Sequence, residues 1–217
     1  MEQMVYGFDE GDRSMTAVLG GKGANLAEMT RAGFPVPPGF TVTTGACNAF
    51  HAAGSHVPEG LWDEVDEAVA RLEEVSGKQF GSVTNPLLVS VRSGAPISMP
   101  GMMDTILNLG LNAEATEGLA KLTGDAAFAW EAYRRFIRMF AEIVFAVPAE
   151  PLDEAMDRAI EANEGPLREP ELRALVDRML RIVRGYAHRS IPDEPMEQLR
   201  LAIQAVIYQR LDLPRNC

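Results

Sequence analysis

The stretch "AVLGGKGANLAEMTRAGFPVPPGF" (Ala17–Phe40) sets a lysine among glycines, Gly20-Gly21-Lys22-Gly23, at the mouth of a helix-forming sequence. Helical spacing starts near Lys22, with Leu26, Met29 and Thr30 on one face. It stops at Gly33, a residue suited to the left-handed turn that ends a helix. Pro35, Pro37 and Pro38 then forbid continuation. "MVYGF" (Met4–Phe8) before this helix and the β-branched "GFTVTT" (Gly39–Thr44) after it read as strands, with Thr44 placed to cap a helix through Phe50. Strand and helix therefore alternate.

The same glycines bear on chemistry. They let a backbone approach a ligand closely, the helix start offers free N–H groups and a positive dipole end, and Lys22 adds a compact charge. That combination suits a phosphate. It is not a Walker A loop, because Thr16 and Gly23 stand where glycine and Ser or Thr are required. Nor is it a dinucleotide fingerprint, because Leu26 occupies a glycine position. On spacing alone an ordinary helix entry outweighs a phosphate site.

Further along, Leu61, Val65, Val69 and Leu72 make the inner face of a helix ending at Gly77. "PLLVSVRS" (Pro86–Ser93) is an apolar, β-branched run and reads as a buried strand that delivers Arg92 to its end. An arginine there can fork onto phosphate oxygens or hold a carboxylate. Ser93-Gly94-Ala95 turn the chain, and Met99, Met102 and Met103 make a soft apolar stretch between that strand and a following helix, read as a flap over a flat ring slightly ahead of a buried loop. Three strands among helices make residues 1–111 an α/β or α+β domain. From about Leu111 the pattern is helical. Phe128, Trp130, Tyr133, Phe136, Ile137, Phe140, Ile143 and Val144 form one stripe, with Arg134, Arg135, Arg138 and Glu142 on the other face. Helices over Leu152–Ala162, Pro170–Gly185 and Pro195–Tyr208 follow, so residues 112–217 read as a helical subdomain.

The 217 residues carry 31 acidic against 20 basic side chains, a net charge of -11, with no basic arm. That argues against nucleic acid, while a nucleotide needs only local positive charge. Cys47 and Cys217 are too few for a disulfide scaffold, and two reduced thiols fit a reducing compartment. The N-terminus has no apolar core of signal-peptide length, and no window approaches the roughly 20 apolar residues that span a bilayer. These features predict a cytoplasmic protein without a membrane partner. His51, His56 and His188 have no companions at metal-ligand spacing.

The two quoted segments, with "NPLLVSVRSGA" (Asn85–Ala95), "SMPGMMDTILNLG" (Ser98–Gly110) and "AYRRFIRMF" (Ala132–Phe140), resemble the N-terminal region of the pyruvate, phosphate dikinases from about Val5 to about Val206. The resemblance implies part of an ATP-grasp-like nucleotide-binding domain with an inserted helical subdomain. In that family ATP phosphates pass to a histidine on a swivelling domain and then to pyruvate in a TIM barrel. The family's phosphate-binding lysine falls on Lys22 and its arginine on Arg92. Gly21, Gly23, Ser93 and Met103 fall in the loops that contact the nucleotide. The Mg2+ carboxylates, the phosphorylated histidine and the barrel of the family have no counterpart here. After "LRLAIQAV" the chain departs from the family pattern, reading "IYQRLDLPRNC", as a truncated end would. Two functions are therefore expected: the ATP-binding part of a dikinase, inactive alone and completed by a further chain, or a stand-alone nucleotide-binding or regulatory remnant without turnover.

Overall fold

The computed structural model describes residues 2–93, 105–163 and 165–209. The chain divides into two compact units, residues 2–77 with Ser93 and 206–209, and residues 78–92 with 105–205. Both mix helices with short two-stranded sheets, an α/β-type composition.

In the first unit β1 (Val5–Gly7) pairs antiparallel with β2 (Phe40–Val42), in the register Val5↔Val42, Tyr6↔Thr41, Gly7↔Phe40. Three helices accompany them, α1 (Thr16–Arg31), α2 (Thr44–Ala52) and α3 (Leu61–Ser76). The inner face of α1 is not the expected Leu26, Met29 and Thr30. Leu19, Gly23, Ala24 and Ala27 are buried, and Met29 is 44% exposed. Small residues bring this helix close to its strand: a Cβ added at Gly23 would stand 2.8 Å from the Thr41 methyl. Tyr6, Met15 and Val18 fill in around Leu19, Ala24 and Ala27. The cap of α2 lies one residue before the expected Thr44, since the buried Thr43 hydroxyl accepts from Ala46 N at 3.1 Å. α3 follows its pattern, with Leu61, Val65, Val69 and Leu72 all buried.

The second unit carries β3 (Gln79–Phe80) parallel to β4 (Pro86–Leu87), and β5 (Val89–Arg92) antiparallel to β6 (Thr105–Leu109). Five helices follow: α4 (Ala113–Thr123), α5 (Ala126–Phe145), α6 (Ala149–Glu161), α7 (Glu169–Ala187) and α8 (Pro195–Gln209). Two expectations fail here. The run Pro86–Ser93 is not one buried strand but two short ones, and along β5 half-buried Val89 and Val91 alternate with exposed Ser90 and Arg92. A strand in a two-stranded sheet keeps one face in water, which the apolar composition concealed. The segment after the methionine-rich stretch is a strand rather than a helix, held by its pairing with β5. It ends where Asn108 (φ 61°) and Gly110 (φ 99°) leave helical and extended geometry alike. The methionine flap itself, Met103 included, lies outside the described residues.

The core of this unit joins Ile106, Leu109 and Leu111 to Phe136, Ile137 and Phe140 of α5 and to Leu172, Met179 and Val183 of α7. Each such side chain contributes about 1.5–3 kcal/mol by leaving water. The α5 stripe holds from Trp130 to Phe140, but Phe128 stands outside it, 55% exposed. On the polar side Arg138 forks onto Asp153 at 2.7 and 2.9 Å, tying α5 to α6, and Arg134 and Arg135 both donate to Glu131.

These pairs set an acid limit. The Arg173 hydrogen bond holds the Glu117 carboxyl below its usual range, and Arg138 does the same for Asp153. Burial pushes Glu131 up, but the donors on Arg134 and Arg135 outweigh it and the net shift is downward. Depressed carboxyls stabilise the fold above their unfolded values and lose that contribution as pH falls through the folded ones. Stability of the second unit is therefore expected to be level down to about pH 5 and to fall below it. Arg138→Gln should flatten the fall. An acid titration followed by Trp130 fluorescence checks this, and a decline that begins above neutral pH contradicts it.

Candidate phosphate site

The polar groups of the Gly20–Gly23 segment are arranged by a break in α1. Gly20 takes φ 69° and ψ 170°, a conformation that only glycine adopts without strain, so the helix stops and restarts there. The Ala17 carbonyl accepts the Thr44 hydroxyl at 2.6 Å, and residues 21–23 open the helix that follows the break. The backbone at Gly21 faces open space among the described residues, none of which comes within 4 Å of where a Cβ would stand apart from its own helix and chain neighbours. Gly23, by contrast, is buried against Thr41.

Lys22 is half-buried and donates from Nζ to the Ser93 carbonyl at 2.9 Å, a contact spanning 71 positions of sequence. An ammonium has three donors, so two remain for a ligand. The Ser93 hydroxyl is buried and has no hydrogen-bond partner among the described residues. The structure thus brings Gly21, Lys22 and Ser93 together within the first unit. Arg92, the last residue of β5, belongs to the second unit. Its side chain is exposed, and no hydrogen bond or ion pair engages it among the described residues. The sequence pattern pointed to Lys22 and the glycines, but nothing in it revealed the Ser93 tether, which pairs a side chain with a distant backbone carbonyl.

A concavity of the first unit lies elsewhere. It is a cleft of about 760 Å3 lined by Phe8, Phe40, Val36 and Leu72 among others, and none of Lys22, Arg92 and Ser93 lines it. Among the described residues no three His, Cys, Asp or Glu side chains gather where they could hold a metal ion. No helix among them is long and apolar enough to cross a membrane.

Residues 16–56, the segment holding the broken helix and Lys22, match the family model described as "Pyruvate phosphate dikinase, AMP/ATP-binding domain". The matched model is that of a nucleotide-binding domain. Over 99% of its length the chain is 46% identical to the pyruvate, phosphate dikinase of Clostridium symbiosum, of which it covers 25%. Identity is 43% over 96% of the chain to the chloroplastic dikinase 1 of Arabidopsis thaliana, and 45% over 94% to the dikinase of Entamoeba histolytica. The chain belongs to the pyruvate, phosphate dikinase family, and it spans about a quarter of the length of the curated relatives it matches.

Proposed function

We propose that this chain supplies the phosphate-binding part of the ATP site of a pyruvate, phosphate dikinase, in an ATP-grasp-like domain carrying a helical subdomain. The observation that carries this reading is Lys22, held by Ser93 at the first turn of a helix restarted by Gly20. ATP supplies the phosphoryl group. Lys22 lowers the electrostatic cost of gathering phosphate oxygens, the open Gly21 backbone admits them, and the helix restarted at Gly20 turns the positive end of its dipole to them. Arg92, whose guanidinium is exposed and has no partner among the described residues, is the second phosphate contact. Phosphoryl transfer needs positioning and charge neutralisation more than covalent help, and these groups supply both.

Titration calorimetry with ATP and magnesium tests the reading. Loss of a charged phosphate contact costs about 1.5–3 kcal/mol, so Lys22→Ala and Arg92→Ala should each weaken binding roughly ten- to hundredfold. Unchanged affinity in both variants would remove the assigned roles. A second reading, a nucleotide-binding or regulatory module without turnover, shares the site. It draws on the chain spanning a quarter of its relatives. The pure chain is expected to make no phosphoenolpyruvate from ATP, pyruvate and phosphate, since none of His51, His56 and His188 lies in a sequence like the family's phosphorylated histidine. A coupled assay on the chain alone, then with other dikinase segments added, separates the two readings.

A further inference from the structure

The two edges of the β1–β2 sheet are treated in opposite ways. Bonds from Thr43 N to Met4 O and from Phe8 N to Gly39 O fix the ladder, so Val5 and Gly7 turn their backbone groups away from β2, and Phe40 and Val42 turn theirs away from β1. All four outward groups of β1 are taken. Val5 N donates to Glu64 Oε2 at 2.8 Å, and Val5 O accepts from Gln3 Nε2 at 2.8 Å. Gly7 N donates to Glu10 Oε2 at 2.6 Å, and Gly7 O accepts from Glu10 N at 3.0 Å. On β2 the N–H and C=O groups of Phe40 and Val42 have no partner among the described residues.

Capping is how a protein blunts an edge that is not to be extended, and an uncapped edge is a template for another strand. A two-stranded sheet is also marginal by itself, and three strands are the usual minimum. Side chains of a strand laid on β2 would alternate, every second one falling on the Phe40 face. That face opens on the apolar cleft, whose lining includes Asp9, Glu10, Glu64 and Glu67 against Arg71 alone. Four carboxylates against one guanidinium favour a cationic occupant and disfavour polyphosphate.

We infer that the outer edge of β2 is a strand-addition site for an extended polypeptide segment that alternates apolar with basic side chains. The source is dikinase polypeptide outside these 217 residues, of which the relatives have ample length, the chain covering 25% of the Clostridium protein. The inference rests on the family reading for that source and is independent of the phosphate site. Main-chain bonds to Phe40 and Val42 supply affinity, and the cleft selects side chains.

The test uses the full chain, isotope-labelled, with two synthetic probes: Ac-Lys-Val-Lys-Val-Lys-Val-NH2 and its glutamate counterpart. Phe40 and Val42 amides should exchange with deuterium at least about tenfold faster than those of Val5 and Gly7. The lysine probe should shift the Phe40 and Val42 resonances saturably, and the glutamate probe should bind at least about fivefold more weakly. Val42→Pro removes an outward donor without breaking the ladder to β1 and should abolish the shifts. Should that variant not fold, the lysine probe N-methylated on alternate amides serves instead, and it should not bind. Equal exchange at both edges, no saturable shift, shifts confined to β1, or equal binding of both probes overturns the inference. Normal ATP titration in the same sample would show that the phosphate site stands regardless.

Discussion

Replacing Gly118 by alanine is expected to unfold the second unit, or to lower its melting temperature by about 10 °C or more. Gly118 is a buried residue in the middle of α4, where alanine would ordinarily be the better helix former. The obstacle is tertiary. A Cβ there would stand 1.7 Å from the Val83 carbonyl oxygen and 2.5 Å from its carbon. Both atoms are backbone, so no side chain can rotate away. The β3–β4 loop or the helix must move, against a core that includes Leu119 and Ala120 of the same helix. Overpacking of this kind costs about 3 kcal/mol or more, a large part of a domain's stability. Gly185 in α7 is the control, with open space around its Cβ position, and Gly185→Ala should stabilise by about 0.5–1 kcal/mol. Trp130, buried in this unit, reports both changes in a Trp62→Phe background. Equal melting temperatures for the Gly118 variant and the wild type would refute the argument.

That glycine also shows where sequence reading runs out. Amphipathic helices built from large residues are legible because period and burial coincide: α3 buries the positions its spacing selects. α1 is not legible in this way, because Gly23, Ala24 and Ala27 face inward while Met29 faces water. Small residues mark close approach to a strand, and approach depends on a partner that the local pattern does not contain. β6 departs from the expected helix for the same reason. Its strand state comes from β5, across a stretch that gives no local sign of pairing. The phosphate site divides along this line too. Lys22 among glycines is a local pattern, whereas its tether to Ser93, and the Thr44 hydroxyl that takes the Ala17 carbonyl, are long-range events.

Gln198 is the polar counterpart of Gly118, and Gln198→Leu is expected to cost about 3 kcal/mol or more. Gln198 is 1% exposed and spends its whole amide on backbone. Its Oε1 accepts from Gly110 N at 3.0 Å, and its Nε2 donates to Leu111 O at 3.0 Å and to Pro192 O at 2.8 Å. These bonds fasten α8 to the turn that leaves β6, where Gly110 sits at φ 99°. Leucine would fill the volume but leave one donor and two acceptors without partners, each costing about 1–3 kcal/mol where water cannot reach. Gln198→Glu separates hydrogen bonding from packing. Its carboxylate can still accept from Gly110 N but cannot donate, and burial raises its pKa above that of the unfolded chain. A carboxyl raised in this way contributes stability at low pH and loses it as pH rises through the folded value. Urea unfolding at pH 5 and pH 8 should therefore show Gln198→Glu closer to wild type at pH 5, with Gln198→Leu offset from wild type by the same amount at both. If both variants track wild type at both pH values, the Gln198 bonds contribute nothing to stability.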